Sequence, residues 1–418
     1  MLSVVRFLIM PSDLKGTYMI SNRAMVIPAS PIRNLLPHAN RAKERGIKVY
    51  HLNIGQPDVP TPKELLEGIR GFSNPVLPYG PSEGIKELRV AIADYFKRYS
   101  LEVSPEEVVI TQGGSEAILF SMLLLCNPED EILVFEPFYA NYNGFAVVSG
   151  VKLVPVTTDP REDYHLPERE KITEKIGNRT RAILVCSPNN PTGTVYTQEE
   201  MEMLADIARK HNLYLISDEV YREFVFDKMK HTSALAVAPE RTILVDSISK
   251  RMSACGARIG FVACKDKEMI SLLIRFAQSR LCPATIEQYG ALEGFRNIDN
   301  YIYTMIREYE HRRNVAIGEL RKLPNVSVNN PEGAFYAMIT LPVDNSEKFV
   351  IYMLERFNVG KKTVMLAPGA GFYATPGLGT NEARIAFVLK EEDIRDAIYI
   401  LGKGIEAYNK KQVRVESK

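Results

Sequence analysis

The 418-residue chain contains only five cysteines, Cys126, Cys186, Cys255, Cys264 and Cys282, and no two of them form a C-x-x-C pair. An odd, scattered set excludes a disulfide framework and, without ligand spacing, a zinc site. They read as reduced thiols in or near the core of a cytoplasmic protein, and no metal is expected. An excess of charge of one sign is also missing, since 52 basic residues face 51 acidic ones. That balance gives neither nucleic acid nor a membrane surface a reason to bind. Long apolar runs are absent too. The first ten residues, MLSVVRFLIM, are apolar but are interrupted by Arg6, and they lack the leading charge and cleavage site of a signal peptide. No other stretch approaches the roughly 20 apolar residues of a membrane span, and no internal repeat or low-complexity tract is visible.

What remains is the composition of an ordinary globular protein, 45% hydrophobic and 25% charged. The length suits two or three domains, or one large α/β domain with a smaller companion. Ile32, Leu35, Leu36, Ala39 and Ala42 have helical spacing, and VYHLNIG follows as a short strand. From about Val108, strands alternate with helices. The strands are EEVVITQGG, DEILVFEP, VKLVPVT, TRAILVCSP, LYLISDE, TILVDSIS and RIGFVAC, and TQEEMEMLADIARKHN is one of the intervening amphipathic helices. Near-continuous apolar strands separated by such helices predict a mostly parallel sheet covered on both faces. Residues 297–322 read as one long helix leading into a second α+β unit with GAFYAMITL, KFVIYMLERF and EARIAFVL.

In open α/β sheets, ligands sit beyond the carboxyl ends of the strands, and four strand ends here carry chemistry. In TQGGSEA, Gly113 and Gly114 allow a tight turn, and Ser115 opens a helix whose free N–H groups favour a phosphate. In SPNNPTG, Pro188 and Pro191 stiffen a loop that holds Asn189 and Asn190, which suits a ligand site or a structural turn equally. In SDEVY, Asp218 and Glu219 end an apolar strand, where a carboxylate needs a partner or a function, and Tyr221 follows. Asp218 could equally cap a helix. In DSISKRMSACGAR, Lys250 follows an apolar strand, where partial desolvation would make it a nucleophile towards a carbonyl. Ser247 and Arg258 could share a phosphate. The bland alternative is a snorkelling lysine and a surface arginine. Taken together, an anion cradle, a carboxylate for a ring nitrogen and an imine-forming lysine are the equipment for pyridoxal phosphate (PLP).

The motifs NIGQPD, YGPSEGIKELR, TQGGSEA, EPFYANY, SPNNPTG, SDEVY, SISKRMSACGARIGF and RIAF occur in this order. On them the chain resembles the class I/II aminotransferases of PLP fold type I, the aspartate aminotransferase superfamily, and within it the prokaryotic subgroup. The resemblance runs from about Pro31 to the C-terminus. It implies an α/β fold: a large domain, 56–309, with a mostly parallel seven-stranded sheet covered by helices. A smaller α+β domain would come from both termini, 31–55 and 310–418, after an N-terminal extension, 1–30.

The resemblance also implies roles. Lys250 would bind PLP covalently and move the substrate's Cα proton, and Asp218 would keep the ring nitrogen protonated. Asn190 and Tyr221 would bond the cofactor's phenolic oxygen. Tyr139 would stack on the ring, where many relatives carry tryptophan, a residue this chain lacks. Gly114, Ser115, Ser247 and Arg258 would hold the phosphate, and Tyr79 would reach the phosphate of the other subunit of a homodimer. Arg384 would clamp the substrate α-carboxylate, with Asn190 and the backbone near Gly55 helping. The expected reaction exchanges an amino group between an L-amino acid, favoured as aspartate or glutamate, and 2-oxoglutarate or another 2-oxo acid in a ping-pong cycle. Arg280 or Arg33 would read a distal carboxylate. The alternatives are an LL-diaminopimelate or other aminotransferase of the subgroup, a PLP-dependent lyase on the same fold and, remotely, a PLP-binding regulator domain.

Overall fold

A computed structural model describes the backbone of residues 20–416 and the side chains of 20–411. Of the N-terminal extension, residues 1–19 lie outside the described residues. The rest forms one short exposed helix, Asn22–Val26, capped by Ser21.

Strand β1 (Lys48–His51) precedes the central sheet. The sheet is built from β2 (Val108–Thr111), β3 (Glu131–Glu136), β4 (Lys152–Thr157), β5 (Thr180–Cys186), β6 (Tyr214–Asp218), β7 (Thr242–Ser247) and β8 (Gly260–Cys264). These are short apolar runs rich in Val, Ile and Leu. β-Branched side chains favour the pleated backbone, and burial on both faces removes any need for alternation. Leu133, Ile183, Leu215 and Leu244 are fully buried, and each stabilises the sheet by about 1.5–3 kcal/mol over an exposed placement. The strand order is β2-β8-β7-β6-β5-β3-β4. All neighbours are parallel except β8, which runs against both β7 and β2.

This topology gathers the chemistry at one edge. Strands β3, β5, β6 and β7 point the same way and end at Glu136, Cys186, Asp218 and Ser247. Strand β2 ends there as well, because Thr111 and Ser247 both pair with Gly260 of the reversed strand. The TQGGSEA turn and the DSISK turn are thereby neighbours across one strand.

The C-terminal part adds β9 (Ser327–Val328), β10 (Tyr336–Thr340), β11 (Lys362–Met365), β12 (Ala367–Pro368) and β13 (Glu382–Ala386). The last two join β10 and β9 in an antiparallel sheet of order β12-β13-β10-β9, whereas β1 pairs in parallel with β11. One apolar core combines Leu35, Ala39, Tyr50 and Leu52 with Phe335, Phe349, Leu354 and Ile398. The long helix predicted over 297–322 spans Asp299–Leu320. Its Ile302 packs with the cluster beside β2 and β8, and its Met305, Tyr309 and Ala316 pack in the C-terminal core. No helix among the described residues is long and apolar enough to cross a membrane.

Candidate active site

Beyond the carboxyl edge of the sheet lies a cavity of about 650 Å³. Every expected site position except Tyr79 lines it: Gly55, Gly114, Ser115, Tyr139, Asn190, Asp218, Tyr221, Ser247, Lys250, Arg258 and Arg384. Tyr79 is 79% exposed and lies outside the cavity lining of its own chain. Of the two arginines expected to read a distal carboxylate, Arg33 lines the cavity. Arg280 does not, because its guanidinium is held by Glu116 at 3.3 Å and by the carbonyls of Ser82 and Ile110.

One end of the cavity is built for an anion. The helix Gly113–Leu125 starts there and directs its unpaired N–H groups towards it. Gly113 has φ +75°, and a Cβ on it would come within 2.3 Å of Arg258 Nη2. Glycine thus lets the guanidinium lie against the turn. Arg258 itself has φ +54°, a left-handed conformation that costs a non-glycine residue about 1–2 kcal/mol. Its guanidinium donates to the Cys255 carbonyl at 2.9 Å and to the Gln112 carbonyl at 3.5 Å. Ser247 caps the short helix Ile248–Arg251. Its hydroxyl donates to the Ile259 carbonyl at 3.0 Å and accepts the Ser249 N–H at 3.1 Å.

Asp218, the last residue of β6, and Glu219, which follows it, have opposite surroundings, because successive residues of an extended chain face opposite sides. Asp218 is buried in the cavity wall and, among the described residues, accepts only the Tyr142 hydroxyl at 2.7 Å and the Val220 N–H at 3.3 Å. Burial pushes it up to about 6 despite the Tyr142 bond. No helix begins at Asp218, so the capping alternative fails; residues 220–223 form a turn. Glu219 points the other way and accepts from Ser217, Arg222, His231, Ser233 and the Ala234 N–H. Burial would raise it, yet Arg222 and His231 hold it down at about 2. Glu219 is thus fully partnered inside the protein, whereas Asp218 has room for a cationic partner from the cavity.

Lys250 Nζ donates to the Gly55 carbonyl at 2.7 Å and lies 3.9 Å from Cys255 Sγ. Arg384, on β13, is buried. It donates to Asn190 Oδ1 at 2.9 Å and to the Asn53 carbonyl at 2.6 Å, with its guanidinium 4.4 Å from the Tyr336 ring centre and 5.0 Å from that of Phe372. No carboxylate among the described residues pairs with it, so it is not an ion pair between two parts of the fold. Its Nε has no partner. Tyr221 receives the Asn190 side-chain amide at 3.4 Å and shares a 2.9 Å hydrogen bond with the Tyr336 hydroxyl. Tyr139 packs edge-on against Tyr142, and burial pushes its hydroxyl up to about 12.

Sequence reasoning missed Tyr142, Tyr336, Ser249 and Cys255. Tyr142 holds Asp218, Tyr336 joins Tyr221 to Arg384, and Ser249 and Cys255 line the cavity beside Ser247 and Lys250. Tyr142 lies three positions after Tyr139 in EPFYANY, one helical turn on, which was the available signal. Tyr336 in GAFYAMITL gave none, since its partners come from the turn after β6 and from β13.

A sequence model of the family described as aminotransferase class I and II matches residues 47–401. The chain belongs to that family. This aminotransferase is 32% identical to the aspartate aminotransferase of Pyrococcus horikoshii, over 94% of this chain and 98% of that one. The structure of Thermus thermophilus aspartate aminotransferase with maleate superposes with a TM-score of 0.85 at 30% identity, covering 93% of this chain and all of the other. An alanine aminotransferase from Pyrococcus furiosus gives the same TM-score, identity and coverage. The enzyme therefore has the PLP fold type I architecture and is a PLP-dependent transferase. The residues present suit that cofactor. A buried carboxylate short of partners matches a protonated ring nitrogen, a helix N-terminus beside a guanidinium matches a phosphate, and a lysine faces the space between.

Proposed function

We propose that this aminotransferase moves the amino group of an acidic L-amino acid, aspartate or glutamate, to 2-oxoglutarate or another 2-oxo acid. The observation that carries the reading is the convergence of Lys250 and Arg258, Asp218, and Arg384 on one cavity from three separate segments. When bound, PLP supplies a carbonyl carbon for imine formation and a ring that accepts the electron pair left as Cα loses its proton. The chain does the rest. Gly114, Ser115, Ser247 and Arg258 hold the phosphate, and Tyr139 packs against the ring. Asp218 keeps a proton on the ring nitrogen, and Asn190 and Tyr221 donate to the phenolic oxygen. Arg384 clamps the α-carboxylate as a bidentate fork, with Asn190 bracing it and the Gly55 backbone beside it. Lys250, with its amine free and neutral, would take the substrate's Cα proton and return it. Tyr79 completes the site of a second subunit, a reading supported by its exposure next to exposed Val76 and Leu77.

The test is a half-reaction. Holoenzyme given L-aspartate and no oxo acid releases one equivalent of oxaloacetate per site and stops, and 2-oxoglutarate restarts it. Continuous ammonia release would make the enzyme a lyase, and turnover of alanine but not aspartate would overturn the substrate class.

A further inference from the structure

Tyr336 is buried and lines the cavity, yet the proposed function gives it no task. It sits on β10, opposite Ala386 of β13. Its ring is held from several sides. The Arg384 guanidinium lies 4.4 Å from its centre, and the Phe335 and Tyr221 rings lie 4.8 and 5.6 Å away. The backbone of Gly55 closes over the hydroxyl so tightly that a Cβ there would come within 1.7 Å of it. Among the described residues the hydroxyl has one hydrogen-bond partner, the Tyr221 hydroxyl at 2.9 Å.

Donor and acceptor in that bond follow from the neighbours. Arg384 can only donate, so the Asn190 oxygen faces it at 2.9 Å and the Asn190 amide nitrogen faces Tyr221 at 3.4 Å. The Tyr221 oxygen therefore already accepts once. A phenol has a single hydrogen. With the Tyr221 hydrogen directed to the cofactor's phenolic oxygen, the 2.9 Å bond is donated by Tyr336. Tyr221 thus receives two donors and offers one hydrogen to the cavity. Each accepted bond polarises its O–H, more so in a dry wall of low dielectric. Both tyrosines are buried. Burial, and then Tyr336, hold the Tyr221 hydroxyl well above its ordinary value, so it stays a neutral donor.

We propose that Tyr336 is a positioning residue: its hydroxyl donates to Tyr221, orients the Tyr221 O–H towards the phenolic oxygen of PLP and strengthens that bond. This rests on the reading of Tyr221 as a donor to that oxygen.

The test is a pH titration of the absorbance of substrate-free holoenzyme, which follows the proton shared with the phenolic oxygen. A donor to that oxygen favours its deprotonated form, so weakening the donor raises the midpoint. Tyr336→Phe keeps the ring and removes only the hydroxyl. It raises the midpoint by about 0.3–1 pH unit, roughly two- to tenfold in proton affinity, as the loss of one hydrogen bond predicts. The other ionisable groups that face Tyr221, Cys186 at the end of β5 and Arg384 on β13, are unchanged in this variant. Tyr221→Phe also raises the midpoint, and in that background Tyr336→Phe adds nothing, because the relay has lost its middle member. An unmoved or lowered midpoint in Tyr336→Phe, or a rise that persists in the Tyr221→Phe background, overturns the relay. A midpoint that Tyr221→Phe leaves in place overturns the reading of Tyr221 itself, and the relay with it. A merely structural Tyr336 would lower the urea midpoint and leave the absorbance titration where it is.

Discussion

Arg384 and Asn190 lie 194 residues apart in the chain and are joined by a 2.9 Å hydrogen bond. The bond ties β13 to the loop after β5, so one asparagine braces the guanidinium on one side and meets the Tyr221 hydroxyl on the other. Replacing Asn190 by Ala leaves one arm of a buried arginine without its acceptor, at about 1–3 kcal/mol. The expected outcome is a roughly tenfold or larger rise in KM for the amino acid donor, together with a shift in the pH dependence of the bound cofactor's absorbance. A purely structural asparagine would lower the melting temperature and move neither.

Asp218 sets a pH-dependent cost on the apoprotein. Burial holds its folded value at about 6, above the ordinary carboxylate value of about 3.9. The folded state therefore binds this proton more tightly than the unfolded chain, and stability falls as pH rises across that window and stays reduced above it. Asp218→Asn removes the cost. In urea melts the variant apoprotein is more stable than wild type at pH 8 by on the order of 3 kcal/mol, and the gain is much smaller at pH 4.5. The holoenzyme responds in the opposite sense, losing at least about a hundredfold in kcat, because no carboxylate then holds the ring proton. An equal gain at both pH values would show that Asp218 is not the titrating group.

Glu219, its neighbour, behaves the other way. Arg222 and His231 hold it down at about 2 against burial, so its contribution is present above about pH 4.5 and is lost as pH falls towards 2. Glu219→Ala removes the 2.8 Å partner of the fully buried Arg222 and leaves it only the longer 3.7 Å contact with Asp246. Breaking such a pair costs about 3–5 kcal/mol, read as a lower urea midpoint at pH 7 that converges on wild type in acid.

Gly113→Ala tests the anion cradle. The new Cβ meets the Arg258 guanidinium at 2.3 Å, and φ is +75°. The far end of Arg258 is flexible and swings aside, so the stability cost stays near the 1–2 kcal/mol of a left-handed alanine. Affinity for PLP falls more steeply, by about tenfold or more, because the arginine has left the phosphate end. Equilibrium dialysis of cofactor against apoprotein separates the two effects; unaltered cofactor affinity would remove Arg258 from the phosphate site.

Much of this molecule was legible before any coordinates. The seven central strands are apolar runs of β-branched residues bounded by Gly, Pro and charged turns, and each formed where the pattern placed it, because burial on both faces leaves such a run few other conformations. The strand ends that carry Gly114, Asn190, Asp218 and Lys250 were visible for the same reason, since a polar group at the mouth of an apolar strand breaks the pattern. Chemistry and fold class were thus local properties of the sequence, strengthened by the order of the motifs.

Other features depended on how distant segments meet. Which of the adjacent carboxylates faced the cavity followed from the pleat of β6 and from the positions of Arg222 and His231. Tyr336 became part of the site only because β10 lies beside β13 and its hydroxyl reaches Tyr221, a contact with no signature along the chain. Arg33 and Arg280 were indistinguishable as cationic side chains until packing bound one to Glu116 and left the other unpaired at the cavity wall. Strand runs and turns are written in near-neighbour residue types, whereas burial, pairing and charge balance are set by what the folded chain brings alongside.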